Sequence, residues 1–107
     1  MEHMAEYITV ARVGDIPLGG ALQVEVGDNP ISIWNVKGAF YAIDDTCTHE
    51  EAYLSEGEVI DDCCAMCPLH GSEFDLATGA ARCLPATEPV RTYPVRVEGD
   101  EVQIEIS

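Results

Sequence analysis

Residues 21 to 26 alternate apolar and polar side chains with a period of two. That period predicts a half-buried β-strand with Leu22, Val24 and Val26 inward and Gln23 and Glu25 outward. Residues 101 to 106 repeat the pattern and should turn Val102, Ile104 and Ile106 to the core. Ahead of both, Tyr7 to Val13 is rich in β-branched residues and reads as a strand, broken at Gly14–Pro17, with the turn continuing through Gly20. Turn chemistry at Gly27–Pro30 precedes a strand over 31 to 36, and Lys37-Gly38 precedes another over 39 to 43. Residues 58 to 60 and 63 to 66 flank Asp61-Asp62 as a hairpin, and residues 90 to 97 form a strand whose Pro94 predicts an edge or a bulge. Trp34 is expected to be a buried core aromatic. Helix is scarce, at most a short turn near 50 to 54. Short strands separated by turns predict an all-β chain, an antiparallel sandwich or barrel.

Composition bounds this picture. With 107 residues, 47% of them hydrophobic, the chain suits one domain with its own core. No run approaches the eighteen or so apolar residues of a membrane span, and the first residues lack the basic and apolar regions of a signal peptide. His3-Met4 reads as a cloning remnant ahead of a native Met4, which removes His3 from any site. Five cysteines, an odd number with several crowded together, fit a reducing cytoplasm better than a secreted disulfide frame.

A net charge of −15 argues against DNA, RNA or anionic membranes as partners. Its distribution says more. No Lys or Arg lies between Lys37 and Arg82, an interval holding Asp44, Asp45, Glu50, Glu51, Glu56, Glu58, Asp61, Asp62, Glu73 and Asp75. These acids either solvate the surface or form a rim that steers basic partners.

The candidate chemistry lies inside that interval. Cys47-Thr48-His49 is followed, after seventeen intervening residues, by Cys67-Pro68-Leu69-His70. Each short loop offers one thiolate and one imidazole, donors suited to iron, zinc or copper. A structural zinc module is the plain alternative, but common zinc fingers pair Cys with Cys and His with His, whereas each loop here mixes the two. Nucleophile–base pairs, phosphate loops and dinucleotide fingerprints are missing from the sequence.

With Pro68, Gly71, Phe74-Asp75, Thr78-Gly79 and a later Pro85, the Cys-x-His…Cys-x2-His pattern resembles the Rieske family over residues 38 to 97. The resemblance implies a Rieske fold, with a basal part of about 4–43 and 88–107 and a cluster-binding subdomain of about 44–87 in a single domain, 1–107. It implies one [2Fe–2S] cluster per chain, with Cys47 and Cys67 on the inner iron and His49 and His70 on the outer. Around the ligands it places Ser72 as a donor to a bridging sulfide and Pro85 in a loop over the cluster. Leu69 and Ala52 stand where respiratory relatives carry a disulfide, and Phe74 stands where they carry a hydroxylated aromatic. A low potential follows from those replacements. With Cys67 claimed by the cluster, Cys63, Cys64 and Cys83 are expected to be small hydrophobes or half-exposed thiols.

The function implied is that of a monomeric, soluble electron carrier rather than an enzyme. It is similar to the ferredoxin of a multicomponent aromatic-ring oxygenase, docking transiently with a ferredoxin reductase and a terminal oxygenase. A small subunit of a nitrite-reductase-type enzyme and an iron–sulfur redox sensor or assembly accessory are the other readings.

Overall fold

A computed structural model of the chain describes residues 6–46, 52–68, 71–83 and 88–105. The strands are Tyr7–Arg12 (β1), Ala21–Val26 (β2), Asn29–Val36 (β3), Ala39–Asp44 (β4), Glu58–Ile60 (β5), Cys64–Met66 (β6), Glu73–Asp75 (β7), Ala81–Cys83 (β8), Thr92–Tyr93 (β9), Val95–Glu98 (β10) and Glu101–Glu105 (β11). Two single 3-10 turns, Val13–Asp15 and Leu54–Glu56, are the helical elements among the described residues. The second lies slightly beyond the 50 to 54 expected for it.

The strands form three antiparallel sheets, β1-β11-β10, β2-β3-β4-β9 and β5-β6-β7-β8. Their order in space follows from β3, whose residues Ile31 to Val36 are all buried. Ile31 and Ile33 on one face pack with Ala42, Tyr93, Val102 and Ile104, joining the middle sheet to β1-β11-β10. Trp34 and Val36 on the other face pack with Ile43, Leu54, Ala65, Cys67, Phe74 and Leu76, joining it to the cysteine-bearing sheet. A strand covered on both faces loses the alternation that a half-buried strand keeps. Trp34 is wholly buried, as expected, and its indole N–H donates to the Ser32 hydroxyl at 2.7 Å. Leu22, Val24 and Val26 pack on the core while Gln23 and Glu25 face outward. Val102 and Ile104 are buried, and Ile106 lies outside the described residues.

Two expectations need correction. Asn29 and Pro30 belong to β3 rather than to the turn, because they pair with Val26 and Glu25 across a tight Gly27-Asp28 reversal. The strand read over 90 to 97 is two. β9 pairs with β4 and β10 with β11, so Pro94 marks a switch between sheets. A proline supplies no N–H to a ladder, and the chain changes partners at the residue that cannot donate.

Candidate metal centre

Both candidate ligand loops rise from one buried platform. The first leaves the end of β4. Asp44 N–H donates to Arg91 C=O at 2.9 Å, Asp45 N–H to Pro30 C=O at 3.0 Å, and Leu54 N–H to Asp45 C=O at 2.7 Å. Thr46 and Tyr53 form an isolated antiparallel bridge, so the loop's departure and return are held together. Cys47 and His49 lie between these points, outside the described residues.

The second loop begins at Cys67 at the end of β6. Cys67 N–H donates to Ser72 C=O at 2.7 Å, and Gly71 N–H to Cys67 C=O at 3.1 Å, so the chain comes back on itself between Cys67 and Ser72. Gly71 has a φ of 75°, the left-handed geometry that glycine adopts without steric penalty. Leu69, His70 and Pro85 lie outside the described residues. Cys67, Ser72 and Phe74 are described, and all three are buried.

Two contacts bring the loop bases together. Leu54, just after the first loop, shares a core cluster with Cys67 and Phe74. Gly57 lies so close to the Met66 carbonyl that any Cβ there would overlap it, which places the return of loop one against the residue preceding Cys67. The loop-one segment and the Cys67 hairpin are therefore packed backbone to backbone. Pairing at Ile60 and Cys64 confirms the expected hairpin, and Asp61 and Asp62 at its tip both take left-handed φ values, 54° and 57°.

The residue that sequence reading missed is Asp45. It was counted in the acidic rim, yet it is completely buried. Its Oδ1 accepts the Ser55 N–H and its Oδ2 accepts the Ser55 hydroxyl, each at 2.7 Å. Oδ2 also accepts the Gln23 amide at 2.7 Å. A buried carboxyl needs such partners to offset desolvation. The available signal was Asp45 directly following a strand and two residues ahead of a candidate ligand, but no periodicity separates it from the exposed acids.

Asp44 is occupied as well. Tyr93 donates its hydroxyl to Asp44 Oδ1 at 2.6 Å and accepts Asn29 Nδ2 at 2.9 Å. Burial, and then the neighbouring Asp44 carboxylate, push the Tyr93 phenol up to about 12. Asp75 caps the turn after β7, accepting N–H groups of Ala77 and Thr78 at 2.8 and 2.9 Å. The Thr78 N–H leads in holding its carboxyl below the usual range, with Ala77, the Thr78 hydroxyl and Arg82 adding to it against partial desolvation. The exposed acids of the described rim shrink to Glu56, Glu58, Asp61 and Asp62.

Two of the three spare cysteines depart from expectation, and the side chain of Cys83 lies outside what is described. Cys63 and Cys64 are joined as a vicinal disulfide rather than standing as separate thiols. Arg82 Nη1 lies 3.0 Å from one sulfur and 2.9 Å from the other.

Of the four candidate donors Cys67 is the one among the described residues, and its chemistry suits an iron–sulfur group. Cys67 presents its thiol from an apolar, buried position on a closed reversal, and the partner loop starts from a base packed against it. Comparison with known proteins agrees. The Rieske [2Fe-2S] domain model matches residues 6–94. The 3-phenylpropionate/cinnamic acid dioxygenase ferredoxin subunit of Escherichia coli (strain K12) is 49% identical over 99 residues, covering 92% of each chain. Among solved structures, the Sphingomonas yanoikuyae B1 ferredoxin superposes with a TM-score of 0.87 at 33% identity, covering 95% of this chain and 100% of that one. The ferredoxin-fold match in a complex of reduced oxygenase and oxidized ferredoxin in carbazole 1,9a-dioxygenase has a TM-score of 0.84 at 36% identity, covering 92% of each. None of the helices among the described residues is long and apolar enough to cross a membrane. The three-sheet fold thus has its family: the chain belongs to the Rieske [2Fe-2S] domain proteins and is an electron carrier of the ferredoxin kind, not a catalyst.

Proposed function

We propose that this chain carries single electrons from a flavoprotein reductase to the terminal oxygenase of an aromatic-ring dioxygenase system, in the cytoplasm and as a monomer. The observation that carries the reading is the 49% identity, over nearly the whole chain, to a dioxygenase ferredoxin subunit. Cys47 and Cys67 would supply the thiolates and His49 and His70 the imidazoles, from a cluster-binding subdomain of about residues 44–87 on the remaining basal part. When bound, a Rieske [2Fe–2S] group supplies reversible one-electron storage without an open coordination position.

The chain's own residues set the conditions for that chemistry. Cys67, Phe74 and Leu54 exclude water from the inner side of the site. Asp45 and the Thr46–Tyr53 bridge keep the first loop's ends in place, so that its donors need little rearrangement between oxidation states. Tyr53, 45% exposed beside that loop, offers an aromatic contact to a docking partner.

The test is direct. Anaerobically purified protein should contain iron and acid-labile sulfide in equal amounts, about two of each per chain, and one zinc without sulfide would refute the ligand assignment. His49→Ala and His70→Ala should each abolish the Rieske signal in electron paramagnetic resonance. Stopped-flow mixing of the reduced protein with an aromatic-ring oxygenase should reoxidise it in single-electron steps. Permanent co-purification with a large reductase subunit would favour the nitrite-reductase-type reading instead.

A further inference from the structure

We infer that Cys63 and Cys64 form a reversible thiol–disulfide exchange site for low-molecular-weight thiols such as glutathione, with Cys63 the entry sulfur and Cys64 the leaving one. The pair sits at the β5–β6 tip, and neither residue belongs to the candidate ligand set. Ala65 and Cys67 point into the core shared with Trp34, and alternation along the strand turns Cys64 the other way.

A structural role for the bond is weak on physical grounds. Bridging neighbours in sequence closes no loop between elements, and the chain-entropy stabilisation of a disulfide depends on the length of the loop it closes. The backbone is held without it: Cys63 N–H donates to Ile60 C=O at 3.1 Å, and Cys63 C=O accepts Leu76 N–H at 2.9 Å. Opening the bond leaves the hairpin in place.

Access and charge then give the exchange a direction. Cys63 is half-buried in the turn, whereas Cys64 is wholly buried. An incoming thiolate therefore reaches Cys63 Sγ and breaks the bond to Cys64 Sγ. Cys64 leaves as a thiolate beside the Arg82 guanidinium, already 2.9 Å away, and a nearby cation favours such a leaving group. A second glutathione thiolate attacks the glutathione sulfur of the mixed disulfide, releasing Cys63 and oxidised glutathione. Two electrons and two protons pass from two glutathiones to the pair, and the reverse sequence restores the disulfide. The two-electron requirement separates this site from the one-electron relay.

The experiment uses cluster-loaded full-length protein in anaerobic buffers of varied reduced-to-oxidised glutathione ratio, acid-quenched, alkylated, digested and weighed. The peptide carrying Cys63 and Cys64 should pass between disulfide and doubly alkylated forms as the ratio changes, while visible absorbance reports that the cluster persists. Cys64→Ser should accumulate one glutathionyl adduct at Cys63, Cys63→Ser should leave Cys64 unmodified, and Arg82→Gln should slow reduction severalfold. Alkylation of both cysteines at every ratio, or a disulfide that survives excess dithiothreitol in the folded protein, overturns the proposal. Should a serine variant fail to load its cluster, the wild-type titration alone decides.

Discussion

Asp45 engages Ser55 twice, through its backbone N–H and through its hydroxyl, both at 2.7 Å. This clamp spans the first candidate ligand loop from its departure to just past its return. Replacing Asp45 by Ala strands part-buried donors on Ser55 and should destabilise the protein by about 1–2 kcal/mol. Asp45→Asn keeps one acceptor and should lose less. Urea denaturation would measure both, and iron content per chain should fall in the same order. Equal stability and iron content in all three proteins would remove Asp45 from the site.

Potential is the second prediction. Rieske centres span about −150 to +300 mV, and this chain should fall below zero by protein-film voltammetry at neutral pH. Phe74 is buried with Cys67 and carries no hydroxyl, and the Rieske resemblance implies that Ala52 and Leu69 leave this chain without a disulfide between the loops. Ser72→Ala should lower the potential and Phe74→Tyr should raise it, since hydrogen bonds to cluster sulfur favour the reduced form. A wild-type value well above about +100 mV, toward the upper part of that span, would contradict the oxygenase-ferredoxin reading.

The third concerns alkaline pH. Tyr93 is held protonated to about 12, above its ordinary 10.0. A raised folded value means the stabilisation is complete below the unfolded pKa and is lost as pH rises through the folded one. Stability should therefore decline between about pH 10 and 12 in the wild type. In Tyr93→Phe that component should vanish, at a cost near neutrality of about 1–2 kcal/mol from the lost bond to Asp44. Ultraviolet difference titration should find a phenol ionising near pH 12 that the variant lacks.

Docking is the fourth. If exposed carboxylates steer a basic partner, encounter-limited electron transfer should slow as the screening length shrinks from about 10 Å at 0.1 M salt to about 3 Å at 1 M. Glu58→Gln with Asp61→Asn should flatten that dependence. Asp62→Asn should do less, because Lys37 Nζ already lies 2.9 Å from its carboxylate. A rate indifferent to salt in the wild type would dismiss steering.

That Lys37 contact shows where sequence reading stops. Strands with clean alternation, such as residues 21 to 26, were legible because period two has one physical cause. The Rieske family was legible because two matched Cys–His spacings rarely arise otherwise. Charge placement was not. Lys37 and Arg82 bound the cation-free stretch in sequence, yet both fold back onto its hairpin, to Asp62 and to the Cys63–Cys64 sulfurs. The burial of Asp45, the split at Pro94 and the fully covered β3 share that reason: each depends on which sheet a residue meets, and no local pattern records a tertiary neighbour.

The pairing of β1 with β11 sets an order of events during synthesis. Tyr7 waits for Glu105, whereas β5 to β8 pair with neighbours close in the chain. A ribosome delivers the cysteine hairpin, and the Trp34 face that receives it, well before β9, β10 and β11, which complete the cover over Ile31 and Ile33. The nascent chain therefore exposes its Ile31–Ile33 face rather than the face that receives the cysteine hairpin. Chaperone demand and aggregation during overproduction should track that unshielded Ile31–Ile33 surface, and truncation before residue 101 should leave it permanently open.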